Sequence, residues 1–221
     1  MQERLLKLRT TFSSGDLKRS MLEKYLDESD EAFELAVHAL ERARSLVQSF
    51  KQTAIDQISA RRRRFDLAHL VSDSMNMLHS RYKDAAWTIV LEVDPDIQLN
   101  SFPGPLEQVV LNLVMNCIDH GFDGRDHGCI KISGHLEPGE KGNAVMLSVA
   151  DDGVGIAPEH LGRVFDPFFT TKLGKGGSGM GLNFVHRMVS SILGGQISLN
   201  STPGQGTTFT VRIPQKAPDK I

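Results

Sequence analysis

The sequence predicts an α+β protein, with a helical N-terminal region followed by an open mixed sheet covered by helices on one face. Three observations carry that expectation. First, small or apolar side chains recur at spacings of four and three in Ala32, Ala36, Ala39, Ala43, Leu46, Phe50 and Thr53, with Gln57 next. That is the rhythm of a helical seam. Second, Ile89, Leu91 and Val93, and later Val145, Leu147 and Val149, alternate as strands with a buried face do. Third, strands and helices follow one another in mixed order from residue 65 onward, as in a sheet with helices on one side.

Composition narrows the function classes. The 221 residues suffice for one large or two small domains. Hydrophobic residues at 40% and charged residues at 24% are ordinary for a globular chain. Lys plus Arg is 25 against 27 Asp plus Glu. That balance argues against a nucleic-acid partner, and Arg61-Arg62-Arg63-Arg64 is the one basic cluster. Cys117 and Cys129 have no metal-ligand spacing and read as reduced core thiols, which suits the cytoplasm. No run of 18 apolar residues and no signal peptide occur, so no membrane contact is expected within this chain. A longer parent protein can still be membrane-anchored.

Taken in order, Leu5, Leu6, Leu8 and Phe12 mark a short helix over 2–12, broken at Ser13-Ser14-Gly15-Asp16. Ser20-Met21-Leu22-Glu23 fits a capping box and predicts a short helix through Leu26. Ser29 or Asp30 then caps a long helix over about 31–60. Leu35, Leu40, Val47 and Ala54 widen its stripe beyond a two-stranded seam. A stripe that wide fits a four-helix bundle, and one chain lacks the partners to bury it, so a homodimer through the N-terminal helices is expected. Arg61–Arg64 reads as a solvated helix end, and residues 1–64 as the dimerisation region.

The second domain is expected over 65–214, with a polar, frayed tail over 215–221. Asp66 caps a helix bearing Leu67, Leu70, Val71, Met75 and Leu78. Asp94-Pro95-Asp96 turns the chain into a short strand with Ile97 and Leu99. Pro105 sits in the first turn of a helix reaching Asp119. Ile130 and Ile132 begin a hairpin that returns through Val145–Val149. Pro158 opens a helix to Val164, and a further helix over about 179–193 stops at Gly194-Gly195. Two strands over 196–200 and 207–213 flank the turn Pro203-Gly204-Gln205-Gly206.

The chemistry gathers where the Val145–Val149 strand runs into Asp151-Asp152-Gly153-Val154-Gly155-Ile156. A carboxylate at a strand end is held rigidly and accepts hydrogen bonds, so Asp151 can read an exocyclic amine such as that of adenine. Gly153 and Gly155 let the backbone turn and approach a flat ligand. Upstream, Asn112 and Asn116 share one face of an otherwise apolar helix. Downstream come Phe165-Asp166-Pro167-Phe168-Phe169-Thr170-Thr171-Lys172 and the glycine-rich run Gly174 to Gly181. Gly204-Gln205-Gly206-Thr207 closes the series. The glycine run does not follow a strand in a βαβ unit and lacks Gly-Lys-Ser/Thr, so it is neither a dinucleotide fingerprint nor a Walker loop.

Together these five elements resemble the ATP-binding domain of sensor histidine kinases, the Bergerat fold shared with gyrase, Hsp90 and MutL. The resemblance covers residues 65–214 and keeps the family order. It implies ATP and Mg2+ as cofactors, with Asn116 as the magnesium ligand and Asn112 near the phosphates. A neutral amide oxygen suits magnesium, which keeps several waters and takes few protein ligands. His120 is a candidate phosphate donor and equally a helix-end histidine, since the neighbouring Asp119 departs from the basic residue common there. A lid over about 166–178 is implied, with Gly177, Gly179 and Gly181 permitting close approach. A helix N-terminus at its end suits phosphate. Lys172 is a candidate phosphate stabiliser. Ile156 and Leu182 are expected to line the adenine pocket, Thr207 to lie near adenine and Asp151, and Phe168 and Thr171 to border the site. Phe165, Phe168 and Phe169 equally read as pins holding the lid on the core.

The family reaction transfers the γ-phosphoryl of ATP to a histidine, for relay to an aspartate of a response-regulator receiver domain. None of the eight histidines is followed by an acidic residue and then Asn or Thr before Pro, as the family's acceptor usually is, His38 included, since Ala39-Leu40-Glu41-Arg42 follows it. The chain therefore reads as a fragment that binds ATP without phosphorylating itself. A serine kinase of the same fold, and an ATP-regulated dimerisation module without kinase activity, are the alternatives.

Overall fold

The computed structural model describes residues 2–15, 18–37, 40, 61–82, 87–139, 142–172 and 179–218. The chain divides into two units, Met1–Gln48 with Thr171–Ser178, and Ser49–Thr170 with Gly179–Ile221.

In the first unit, α1 spans Gln2–Ser13 and ends at the expected break, where Gly15 takes a φ of 78°. The second helix, α2, is continuous over 19–37. The expected interruption near residue 29 is absent. The Ser29 hydroxyl donates back to the Tyr25 carbonyl at 2.6 Å, so Ser29 serves inside the helix and caps nothing. Glu23 is engaged by the Arg19 guanidinium at 2.8 Å, one turn before it. Large apolar side chains stay exposed on α2 at Leu22, Leu26, Phe33 and Val37. The seam positions Ala39, Ala43, Leu46, Phe50, Thr53 and Gln57, and His38, lie outside the described residues.

Among the described residues of the second unit, the first element is β1 (Arg63–Asp66), which pairs antiparallel with β3 (Gln98–Ser101). This corrects the reading of Arg61–Arg64 as a helix end. Phe65 packs toward the core, and the flanking arginines follow the extended backbone that this burial demands. Asp66 caps α3 (Leu67–Tyr82) as expected, accepting from the His69 backbone N–H at 3.0 Å.

The main sheet has the order β2-β4-β5-β7-β6, from β2 (Trp87–Val93), β4 (Gly128–Glu137), β5 (Ala144–Asp151), β6 (Gln196–Thr202) and β7 (Gly206–Pro214). Only the β2–β4 pair is parallel. Val145, Leu147 and Val149 of the central β5 are wholly buried, as their alternation predicts. They meet a helical layer built from α3, α4 (Pro103–Asn116) and α6 (Gly181–Arg187). The short α5 covers only Pro158–Leu161, because turns take over at Gly162, before the expected end at Val164.

Two details were not legible in the pattern. Both α4 and α6 widen into one π-helical turn, over Cys117–Gly121 and Met188–Ile192. The signature is an N–H to carbonyl bond five residues back, as from Phe122 to Cys117 at 3.2 Å. The tail is also docked rather than frayed up to residue 218. Gln215 and Ala217 donate backbone bonds to Asn143 and Asn100, and Ala217 is buried.

Candidate functional site

β5 ends at Asp151, which is only 8% exposed. Its carboxylate accepts from the Gly153 N–H at 2.9 Å, from the Cys117 thiol and from the Thr207 N–H. A carboxylate offers about four lone-pair sites, so acceptor capacity remains for a ligand. Burial raises the Asp151 carboxyl above its ordinary value, the three donors only partly offset that, and the nearby Asp152 charge adds to the rise. The same burial, reinforced by the neighbouring negative charge, drives the Cys117 thiol well up, so the thiol stays protonated and donates.

The glycines around Asp151 are there because nothing larger fits. A Cβ on Gly121 would lie 3.0 Å from the Asp151 carboxyl carbon, and one on Gly206 would lie 1.9 Å from its backbone oxygen. Gly206 also holds a φ of 92°, a backbone region that side chains disfavour. The π turn after α4 is what delivers Gly121 and Cys117 to the carboxylate. The Gly121 carbonyl then accepts from the Val154 N–H at 2.8 Å, which fastens the loop beyond β5. Asp152 binds the Cys129 N–H at 2.8 Å from the side of β4.

On α4, the Asn112 amide nitrogen donates to the Gln108 carbonyl at 2.9 Å, which leaves its oxygen outward. Gly181, at the start of α6, faces both asparagines. A Cβ there would stand 3.4 Å from Asn112 Oδ1 and 4.0 Å from Asn116 Oδ1. Two neutral amide oxygens therefore converge beside the first turn of a helix. The Asn116 amide nitrogen is buried without a hydrogen-bond partner. An orphaned polar atom here is costly unless a ligand completes the site. These residues fit a magnesium ion accompanied by phosphates, the hard-oxygen environment such an ion takes.

Of the expected site residues, Asn112, Asn116, Asp151, Gly153, Gly155, Ile156, Gly181 and Thr207 lie on these linked elements. Gly155 holds a φ of 71° and abuts the Thr202 carbonyl. His120 lies in the π turn and is half-buried. Leu182 packs on the core. Phe168 is 44% exposed with a φ of 66°, and the Gly179 backbone lies against it. Phe169 is held between Arg163, 4.9 Å from its ring, and His160 at 5.4 Å. Phe165 packs on the core and against His186. Thr171 and Lys172 belong to the first unit, and Gly177 lies outside the described residues.

Sequence reasoning missed Cys117, Gly121 and Ser201. Cys117 and Gly121 bracket a π turn that no spacing announces. Ser201 stands opposite Thr207 in the β6–β7 ladder, a relation only the strand register reveals. No three His, Cys, Asp or Glu side chains gather into a metal cluster, and no helix is long and apolar enough to cross a membrane, among the described residues.

Comparison with known proteins agrees with this geometry. The family described as "Histidine kinase-, DNA gyrase B-, and HSP90-like ATPase" matches residues 103–217, just over half of the chain. Sporulation kinase B of Bacillus subtilis (strain 168) is 27% identical over 184 residues, 83% of this chain and 41% of that protein. Sensor histidine kinase ZraS of Escherichia coli (strain K12) is 41% identical over 120 residues, 54% of this chain and 23% of that protein. The chain thus spans less than half the length of these relatives. The solved catalytic domain of histidine kinase ThkA superposes with a TM-score of 0.61 at 25% identity, covering 71% of this chain and 97% of that one.

Proposed function

The chain belongs to the histidine kinase-, DNA gyrase B- and HSP90-like ATPase family, and on that premise we propose that it transfers the γ-phosphoryl of ATP to a histidine side chain. The observation that carries this reading is the pairing of a buried strand-end carboxylate, Asp151, with the converging amide oxygens of Asn112 and Asn116.

Asp151 offers its free lone pair to the exocyclic amine of adenine. Ile156 and Leu182 line the base, and Thr207 sits beside the carboxylate. Gly181 lets phosphate approach the first turn of α6. Asn116 holds magnesium, and Asn112 orients the phosphates next to it. Bound magnesium supplies charge neutralisation on the terminal phosphates. The chain performs no covalent chemistry of its own in this scheme. It positions the nucleotide and excludes water from the base.

The phosphoryl group then passes to an aspartate of a response-regulator receiver domain. The exposed stripe Leu22, Leu26, Phe33 and Val37 on α2 supports dimerisation through the N-terminal helices, because a single chain leaves it in water.

The test supplies the acceptor separately. The chain is mixed with γ-labelled ATP, magnesium and a polypeptide carrying a histidine in the family's acceptor context. Acid-labile, base-stable label on that polypeptide is the expected result. Label on serine, or none with nucleotide bound, contradicts histidine phosphorylation. Label on the isolated chain itself contradicts the separate acceptor.

A further inference from the structure

Ser201 lies outside the motifs that mark the site, yet it ties three of their parts together. Its hydroxyl oxygen accepts from the Ile156 backbone N–H at 2.8 Å. It stands 2.9 Å from the Gly206 carbonyl and 3.0 Å from Thr207 Oγ1. A serine hydroxyl has one hydrogen and two lone pairs. The Gly206 carbonyl can only accept, so the serine hydrogen is spent there. The Ile156 N–H takes one lone pair. The Thr207 contact is then settled by elimination, with Thr207 donating its hydrogen to Ser201.

This has a consequence for the base. Thr207 is 6% exposed and pairs across the ladder with Asp151. With its hydrogen committed to Ser201, its hydroxyl shows a ligand only lone pairs. Asp151 likewise shows only an acceptor. The base-reading end of the pocket is thus acceptor-only. An amino group satisfies such a surface. A carbonyl in the place of the amino group meets acceptor against acceptor at position 6, and the ring N–H that accompanies it lies one atom away at position 1, so the discrimination rests on Asp151 and Thr207 both facing position 6.

We propose that Ser201 is a specificity-determining positioning residue, which fixes the Thr207 hydroxyl so that the site takes a 6-amino purine nucleotide and rejects its 6-oxo counterpart. This rests on the nucleotide-binding reading above. Without Ser201, the Thr207 hydroxyl turns and can donate to a 6-oxo group. The Ile156 N–H loses its acceptor at the same time.

The experiment measures ADP and IDP affinity by calorimetry on the wild-type chain, Ser201→Ala and Ser201→Thr. These two nucleotides differ in the amino or oxo group at position 6 and the ring proton that goes with it. Wild type is expected to prefer ADP by roughly 100-fold or more, since unpaired buried polar groups reject the wrong partner strongly. Ser201→Ala is expected to narrow that ratio by about tenfold, the order of one hydrogen bond's worth of discrimination. Ser201→Thr, which keeps the hydroxyl, is expected to restore it. A second comparison removes the Thr207 hydroxyl. In a Thr207→Val background, Ser201→Ala is expected to leave the ratio unchanged, because the group it positions is gone. An ADP/IDP ratio as wide in Ser201→Ala as in wild type overturns the role of Ser201 and leaves nucleotide binding standing. Wild type that binds neither nucleotide overturns both.

Discussion

At Asp151 one carboxylate carries opposing demands. It must be buried to be rigid and selective, and burial penalises its charge. The sign of the pH effect follows. A carboxyl whose folded pKa lies above its unfolded value contributes stability below the unfolded pKa and loses it as pH rises through the folded one. The unfolding free energy of wild type relative to Asp151→Asn should therefore move in favour of wild type as pH falls from 7. The trend should level off below the ordinary carboxylate value of about 3.9. Parallel curves from the two proteins in chemical denaturation would contradict this. The buried, protonated Cys117 should also resist alkylation in the native chain while the half-buried Cys129 reacts. Peptide mapping after iodoacetamide checks it, and equal labelling of both thiols would count against the assigned donor. The buried strand-end position of Asp151 was readable from the alternating run before it. The role of Cys117 was not, because a thiol in an apolar helix looks like any core residue until the tertiary contact is seen.

Elements explain which motifs could be read and which could not. Strand alternation and glycine stops located every strand of the main sheet, since one buried face forces a period of two. Failures fell where a local signal had two uses. Ser29 resembles a cap, yet α2 runs through it, with the hydroxyl bonded back to Tyr25. The arginines before Phe65 resemble a helix end, but pairing with β3 extends them. The π turn at Cys117–Gly121 left no trace in the sequence, and it is this turn that brings Gly121 against Asp151. The start of β7 makes a sharp prediction. Gly206→Ala forces a side chain into a φ of 92° and onto the Asp151 carbonyl. It should cost about 2 kcal/mol or more in thermal unfolding and abolish nucleotide binding. A stable, nucleotide-binding Gly206→Ala would mean that the β5–β7 junction is not what holds Asp151. On α4, Asn116→Ala removes an amide whose nitrogen has no partner. Its unfolding free energy should stay within about 1 kcal/mol of wild type. Its magnesium-dependent ATP affinity should fall by roughly tenfold or more, the order expected for a lost ligand contact. A variant that keeps the full magnesium effect would place the ion elsewhere.

For the whole molecule, the sheet unit and the family match agree on the fold, a five-stranded mixed sheet of the histidine kinase-, DNA gyrase B- and HSP90-like ATPase family. What the whole chain adds is the helical unit, which leaves an apolar stripe exposed at Leu22, Leu26, Phe33 and Val37, the kind of surface that the proposed dimerisation would cover. The proposed activity depends on Asp151 and its neighbours holding a nucleotide together with magnesium. Calorimetry of ATP with and without magnesium, on wild type and Asp151→Asn, tests it most directly. Wild type is expected to bind ATP more strongly with magnesium, and Asp151→Asn to lose that binding by about 100-fold or more, as expected when a specific base contact is lost. Binding of equal strength in both proteins, or none by wild type, would contradict it.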